Sequence, residues 1–199
     1  MHPRKSYDTP ERIEACKIFA GMIKENVKLT PETVILDFGA GTGLVGIPLL
    51  PHVKKIIFED ISEHMLAKCQ ENLDKQENKN YEILLSDVKD YNGEKADIVI
   101  ASMVYHHFED IEAMTKTLLS KMKPHGILII CDFLPGAAFF ERMKPNIPNY
   151  GFVPDDLGKK LLESGCVKYE VKPANTISHI QDDGQPEYYE RFSIYAEAP

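Results

Sequence analysis

Apolar and polar positions alternate along the chain with two periods. Ile13, Cys16, Ala20, Ile23 and Val27 recur three to four residues apart behind Asp8-Thr9-Pro10-Glu11, which reads as a helix start with a capping box. An amphipathic N-terminal helix is expected there. After Pro31, Thr33-Val34-Ile35-Leu36-Asp37-Phe38 is a short apolar, β-branched run that stops at a glycine-rich turn, the pattern of a buried strand feeding a loop. The alternation continues with a strand at Ile56-Ile57-Phe58, a helix from Ser62 to Leu73 capped by Ser62, and a strand from Tyr81 to Leu85. Then come a strand Asp97-Ile98-Val99-Ile100-Ala101, a helix from about Asp110 to Met122, and a strand Ile127-Leu128-Ile129-Ile130 after the turn Pro124-His125-Gly126. Pro154 to Glu163 reads as a helix. Val167 to Val171 and Tyr188 to Tyr195 read as two strands joined by the polar turn Gln181-Asp182-Asp183-Gly184 and forming an antiparallel edge.

Strands alternating with helices predict an α/β fold, doubly wound, with a mostly parallel seven-stranded sheet, an antiparallel edge strand and helices on both faces, Rossmann-like in type. The length of 199 residues suits a single domain, 1–199, opened by the N-terminal helical region 1–30. The stretch from 134 to 153 stands apart: Pro135, Pro145 and Pro148 lie among Phe139, Phe140, Tyr150 and Phe152 without a sustained period, as expected of a lid.

Charge narrows the partners. A net charge of −8 without a basic stripe repels a phosphate backbone, so nucleic acid is not an expected partner. No apolar run has the length of a membrane span and the first residues lack a signal-peptide core, so a soluble cytoplasmic protein without membrane partners is expected. Cys16, Cys69, Cys131 and Cys166 are scattered without metal-ligand spacing, so neither a metal nor a disulfide framework is expected.

Gly39, Gly41 and Gly43 follow the first strand directly, which lets the backbone turn tightly and approach a ligand at the strand's carboxyl end. Gly41-Thr42-Gly43-Leu44-Val45-Gly46 matches the dinucleotide fingerprint literally, but its frame starts too far past the strand. Asp37 would also face a dinucleotide's pyrophosphate, anion against anion. A ligand with an ammonium and a sulfonium and no phosphate complements that carboxylate. Asp37 as a simple turn cap is the competing reading.

With Asp37-Phe38-Gly39-Ala40-Gly41-Thr42-Gly43 after strand one, the chain resembles the class I S-adenosylmethionine-dependent methyltransferases of small-molecule type. The resemblance implies S-adenosylmethionine as cofactor, held by Asp37, Gly39, Ala40, Gly41, Thr42 and Gly43. Asp60, in Phe58-Glu59-Asp60-Ile61-Ser62, falls where the family holds the ribose hydroxyls, at the roughly 20-residue spacing expected of a ribose acid; helix capping is its other use. Ile61 and Met65 go with it. Asp87, in Ser86-Asp87-Val88, matches the position near the adenine, and Ala101-Ser102-Met103 the segment beneath the methionyl part. An Asn-Pro-Pro-Tyr motif of base-methylating enzymes is absent. Tyr7-Asp8-Thr9-Pro10-Glu11-Arg12 is similar to the opening of one small-molecule subgroup; Tyr7 is a candidate for the cofactor site and, with Tyr105, Phe139, Phe140, Tyr150 and Phe152, for the acceptor pocket, ordinary packing being the other reading of each. That subgroup carries His-His-Gly-Phe where this chain has Asn149-Tyr150-Gly151-Phe152.

Methyl transfer from a sulfonium mainly needs alignment, so a catalytic side chain is optional. For a hydroxyl acceptor His106 or His107 has the chemistry of a base; packing and local hydrogen bonding are the alternative for both. Three functions compete at this stage: transfer of a methyl group to a small-molecule acceptor by in-line displacement, a dinucleotide-dependent oxidoreductase, and a noncatalytic S-adenosylmethionine-binding regulator. A protein acceptor stays open as well.

Overall fold

Thr9 sets the start of the first helix, α1 (Pro10–Asn26), by accepting a hydrogen bond from the Arg12 N–H at 3.3 Å, while Pro10 occupies a position where its missing N–H costs nothing. Three residues past the cap stands Arg12 and not an acid, so the expected capping box lacks its return arm. The buried face of α1 is Ala15, Phe19, Ala20 and Ile23, with Cys16 and Val27 half-buried beside it. Ile13, expected on that face, is 44% exposed, because the helix docks through the bulkier Phe19. The computed structural model describes residues 7–136, 147–180 and 185–199.

The strands that build the main sheet are β1 (Val34–Phe38), β2 (Lys55–Asp60), β3 (Tyr81–Leu85), β4 (Ala96–Ser102), β5 (Met122–Phe133), β6 (Lys168–Pro173) and β9 (Arg191–Glu197). They form a seven-stranded sheet in the order β3-β2-β1-β4-β5-β9-β6, parallel from β3 to β5, with β9 antiparallel to both of its neighbours. The antiparallel strand thus exists as expected, one place in from the edge. Side chains alternate along each strand, and the alternation divides the core. Val34, Leu36, Ile57, Val99 and Leu128 face one layer, and Ile35, Ile56, Phe58, Ile98, Ile100 and Ile129 the other.

Helices α3 (Ile111–Ser120) and α4 (Pro154–Glu163) cover the first layer through Ile111, Leu118, Leu157 and Leu161. The other is covered by α1 and α2 (Glu63–Asp74) through Phe19, Ile23, Leu66, Cys69 and Leu73. Ser62 caps α2 by accepting from the Met65 N–H at 3.3 Å, and Asp110 caps α3 by accepting from the Ala113 N–H at 2.9 Å. Met122 belongs to β5, not to the helix before it.

The expected strand from Tyr188 to Tyr195 is broken at Glu190. Its first part, β8 (Pro186–Tyr189), pairs with β7 (Ile177–Ile180) in a separate two-stranded sheet, and only its second part joins the main sheet. The turn at 181–184 lies outside the described residues, as do 137–146 in the middle of the expected lid, Phe139, Phe140 and Pro145 among them. Among the described residues no helix is long and apolar enough to cross a membrane.

Candidate active site

Strand β1 has β2 on one side and β4 on the other, so the chain reverses its winding direction at β1 and leaves a crevice at the strands' carboxyl ends. A cavity of about 540 Å³ opens there. Its wall includes Asp37, Phe38 and the loop 39–42, then Glu59, Asp60, Ile61, Ser62 and Met65 after β2. Asp87 and Val88 after β3, Ser102, Met103, Val104, His107 and Phe108 after β4, and Tyr7, Arg12 and Cys16 from the N-terminal side complete most of it. A larger hollow of about 670 Å³ lies at the opposite strand ends. Two ion pairs lie there, Lys123 with Asp97 at 2.8 Å and Lys168 with Glu197 at 2.8 Å, and a doubly wound sheet does not place its ligand at that end.

The glycine loop is shaped by backbone angles that favour glycine: φ is +62° at Gly39, +57° at Gly41 and +79° at Gly43. Their surroundings separate their roles. A Cβ on Gly41 would meet open space, so this residue presents bare backbone to the cavity; one on Gly43 would stand 2.7 Å from the Cys69 sulfur. Gly43 therefore serves packing against α2 and does not line the cavity.

Asp60 organises the loop. Its Oδ2 accepts from the Gly41 N–H and its Oδ1 from the Ser62 N–H, both at 2.8 Å, leaving further lone pairs toward the cavity. Capping and ligand binding are compatible here. Beside it Glu59, only 1% exposed, accepts from the Gly39 N–H at 3.4 Å, and burial pushes its carboxyl up to about 8.

Asp37 is 2% exposed, and its Oδ2 has no hydrogen-bond partner among the described residues. Burial pushes its carboxyl up to about 7; the Gly46 N–H opposes the rise and the charge of Asp60 adds to it. A desolvated carboxylate with an open valence is unfavourable unless a cation arrives. The ammonium group of S-adenosylmethionine is such a cation, so the residues present fit that cofactor.

Beyond β4 the backbone of Met103 takes a φ of 61°, unusual for a side chain of that size, and its N–H donates to the Cys131 carbonyl at 2.8 Å. Phe38 and Phe108 stack with ring centroids 5.7 Å apart in the same wall. His106 and His107 part company. His107 is exposed and lines the cavity, whereas His106 is 2% exposed and donates through Nδ1 to Asp132, at 2.9 Å from Oδ1 and 3.1 Å from Oδ2. The two imidazole rings lie 4.2 Å apart.

Of the residues expected at the cofactor, Tyr7, Asp37, Gly39, Ala40, Gly41, Thr42, Asp60, Ile61, Met65, Asp87, Val88, Ser102 and Met103 share this one cavity. Gly43, Ser86 and Ala101 do not line it, and Ala101 is fully buried in the sheet. Sequence reasoning missed Arg12, Cys16, Glu59 and Phe108 on the wall and Asp132 behind it. Glu59 sits next to the expected ribose acid, and Arg12 within the quoted opening motif, so those two had a signal.

A pocket of bare loop backbone and carboxylates at the switch point of a doubly wound sheet suits a phosphate-free, cationic nucleoside better than a dinucleotide. Comparison with known proteins agrees: residues 36–128 match the model of a methyltransferase domain. A stretch of 116 residues, 53% of this chain and 40% of the relative, is 35% identical to an uncharacterized methyltransferase of Schizosaccharomyces pombe. A stretch of 91 residues, 46% of this chain and 22% of the relative, is 36% identical to an uncharacterized RNA methyltransferase of Chlamydia muridarum. The chain thus spans less than half the length of these curated relatives. In fold it is similar to a SAM-dependent methyltransferase from Aquifex aeolicus, with a TM-score of 0.70 at 21% identity over 96% of this chain and 95% of that one. Residues 36–128 are thus similar to a methyltransferase domain, and the fold is that of the Aquifex SAM-dependent methyltransferase.

Proposed function

We propose that the chain transfers the methyl group of S-adenosylmethionine to a small-molecule acceptor by in-line displacement. The observation that carries this reading is the buried Asp37 carboxylate, whose Oδ2 has no hydrogen-bond partner among the described residues, in a cavity that Tyr7, Arg12 and Cys16 also line. Asp37 would receive the ammonium and Asp60 the ribose hydroxyls. Asp87 and Val88 would flank the adenine, with Ile61, 76% exposed at the mouth, as its cover. The cofactor supplies a methyl group already activated on a sulfonium, so the chain's work is to align the acceptor and exclude water. A wall made in part from the chain's own N-terminal segment favours an acceptor small enough to enter beside it. If that acceptor is a hydroxyl, a ring nitrogen of His107 takes its proton; His106 is committed to Asp132.

An RNA acceptor is the second reading, and the chlamydial relative's name is what favours it. The net charge of −8 and the carboxylates around the cavity weigh against it. The test is transfer of labelled methyl from S-adenosylmethionine into an extract divided into small molecules, RNA and protein. Label is expected in the small-molecule fraction; label confined to RNA or protein refutes the proposal.

A further inference from the structure

Arg191 is a buried cation that the reading of methyl transfer leaves unused. It opens β9 in register with Phe133, the last residue of β5, and β9 runs antiparallel to β5, so Arg191 stands at the carboxyl ends of the parallel strands, where the cavity opens. It is only 4% exposed. Its Nε donates to the Asn175 carbonyl at 3.0 Å and its Nη2 to Asn175 Oδ1, while the Phe19 ring centroid lies 5.9 Å from its Cζ. These partners are all neutral, and no described carboxylate pairs with it. Asp132 on β5 is taken by His106 and by two backbone N–H groups. A clamp on Asn175, whose own amide donates to the Ala15 carbonyl of α1 at 3.0 Å, needs donors but no charge. A desolvated guanidinium without a counter-ion is strongly unfavourable, so its place here calls for an anion that arrives from outside.

The field of Arg191 reaches the cavity. Burial raises the Cys16 thiol, the charges of Arg12 and Arg191 oppose the rise, and Cys16 lines the cavity. The flank beside it is apolar: Met103 belongs both to the cavity wall and to a cluster built on Phe133 and Tyr189 with Tyr150 and Ile147. With β1 and β4 standing between β2 and β5, this flank lies on the far side of the switch point from Asp60. An apolar flank with one uncompensated cation suits a ligand that has an apolar body and an anionic end. We propose that the methyl acceptor is a small apolar molecule carrying a carboxylate, and that Arg191 is the residue that reads that carboxylate. The guanidinium has donors beyond the two given to Asn175, and its planar fork suits a carboxylate. Arg191 is not part of the wall itself, so pairing needs a side-chain rearrangement there, of the kind common on binding. This inference rests on the methyl-transfer reading given above. The cofactor's own carboxylate is the other source of the same chemistry, and the experiment separates the two.

Melting curves of the S-adenosylhomocysteine-saturated chain over a concentration series of benzoate and of benzamide, a carboxylate and an uncharged molecule of similar shape, decide it in wild type, Arg191→Met and Arg191→Lys. The wild type is expected to hold benzoate about tenfold or more tighter than benzamide, the range for hydrogen bonds to a charged group. Arg191→Met loses that preference by losing benzoate, and Arg191→Lys keeps part of it. Calorimetric affinity for S-adenosylhomocysteine stays that of the wild type in both variants. A wild-type response equal for the two probes, or absent for both, overturns the inference, as does a preference that survives in Arg191→Met. Weakened S-adenosylhomocysteine binding in Arg191→Met overturns it too, by assigning Arg191 to the cofactor or to the seating of α1. Should Arg191→Met fail to fold, Arg191→Lys decides: a reduced preference at unchanged cofactor affinity supports the inference, and an unchanged preference overturns it. Failure of S-adenosylhomocysteine to bind the wild type is a separate result, which refutes the methyl-transfer reading and this inference with it.

Discussion

Asp37→Asn is expected to weaken S-adenosylhomocysteine binding roughly a hundredfold, about 3 kcal/mol for a charge-assisted contact removed from a desolvated site. The same change is expected to stabilise the ligand-free protein above neutral pH. The two effects have one cause. The folded chain holds the Asp37 carboxyl at about 7, well above its ordinary value of 3.8, because burial disfavours the charge. Between those values the folded state binds more protons than the unfolded one. Stability from this group is therefore fully present below about pH 4 and is lost as pH rises through 7. Glu59, raised to about 8 by the same burial, extends the loss upward. Ligand-free protein should melt at progressively lower temperature as pH rises across this window, less steeply in Asp37→Asn. A saturating cofactor should flatten the wild-type slope by supplying the missing cation. A melting temperature independent of pH across the window, in wild type and variant alike, would remove the claim that Asp37 is a buried carboxylate awaiting a partner.

Asp132→Ala is expected to cost about 3 to 5 kcal/mol of folding stability, the range for breaking a buried pair and leaving its partner behind. Asp132 is fully buried at the end of β5 and collects three donors: the backbone N–H of His106 at 3.1 Å, that of Phe133 at 2.8 Å, and His106 Nδ1. Truncation orphans all three in the core. Asp132→Asn, which keeps one acceptor oxygen, should fall between wild type and alanine. Urea unfolding measures this directly, and a loss under about 1 kcal/mol for Asp132→Ala would mean that water reaches the site and the pair is not structural.

What the sequence disclosed follows from how local each signal is. The strand from Val34 to Phe38, the Ser62 cap and the helix Pro154–Glu163 were legible because periodicity and capping act within a few residues. The glycine loop was legible for the same reason, since its glycines and Asp37 stand at fixed short spacing. Ile13 was misplaced because α1 has a weakly sided pattern, and the docking of Phe19 chose which stripe is buried. The β7 and β8 hairpin was hidden because Tyr188 to Tyr195 alternates without a break, and only tertiary pairing divides it at Glu190. Asp132 gave no sign because its partner His106 is distant in sequence, and nothing local marks an aspartate inside an apolar strand as paired. Gly43 shows the opposite error: a motif position expected at the ligand proves to be a packing requirement imposed by Cys69.

The most direct test of the central claim is calorimetric titration of the purified chain with S-adenosylhomocysteine, paired with a nicotinamide dinucleotide titration. One-to-one binding of the first, with a raised melting temperature and no response to the second, is the predicted result. No heat and no thermal shift with S-adenosylhomocysteine, alongside a clear response to the dinucleotide, would contradict the account.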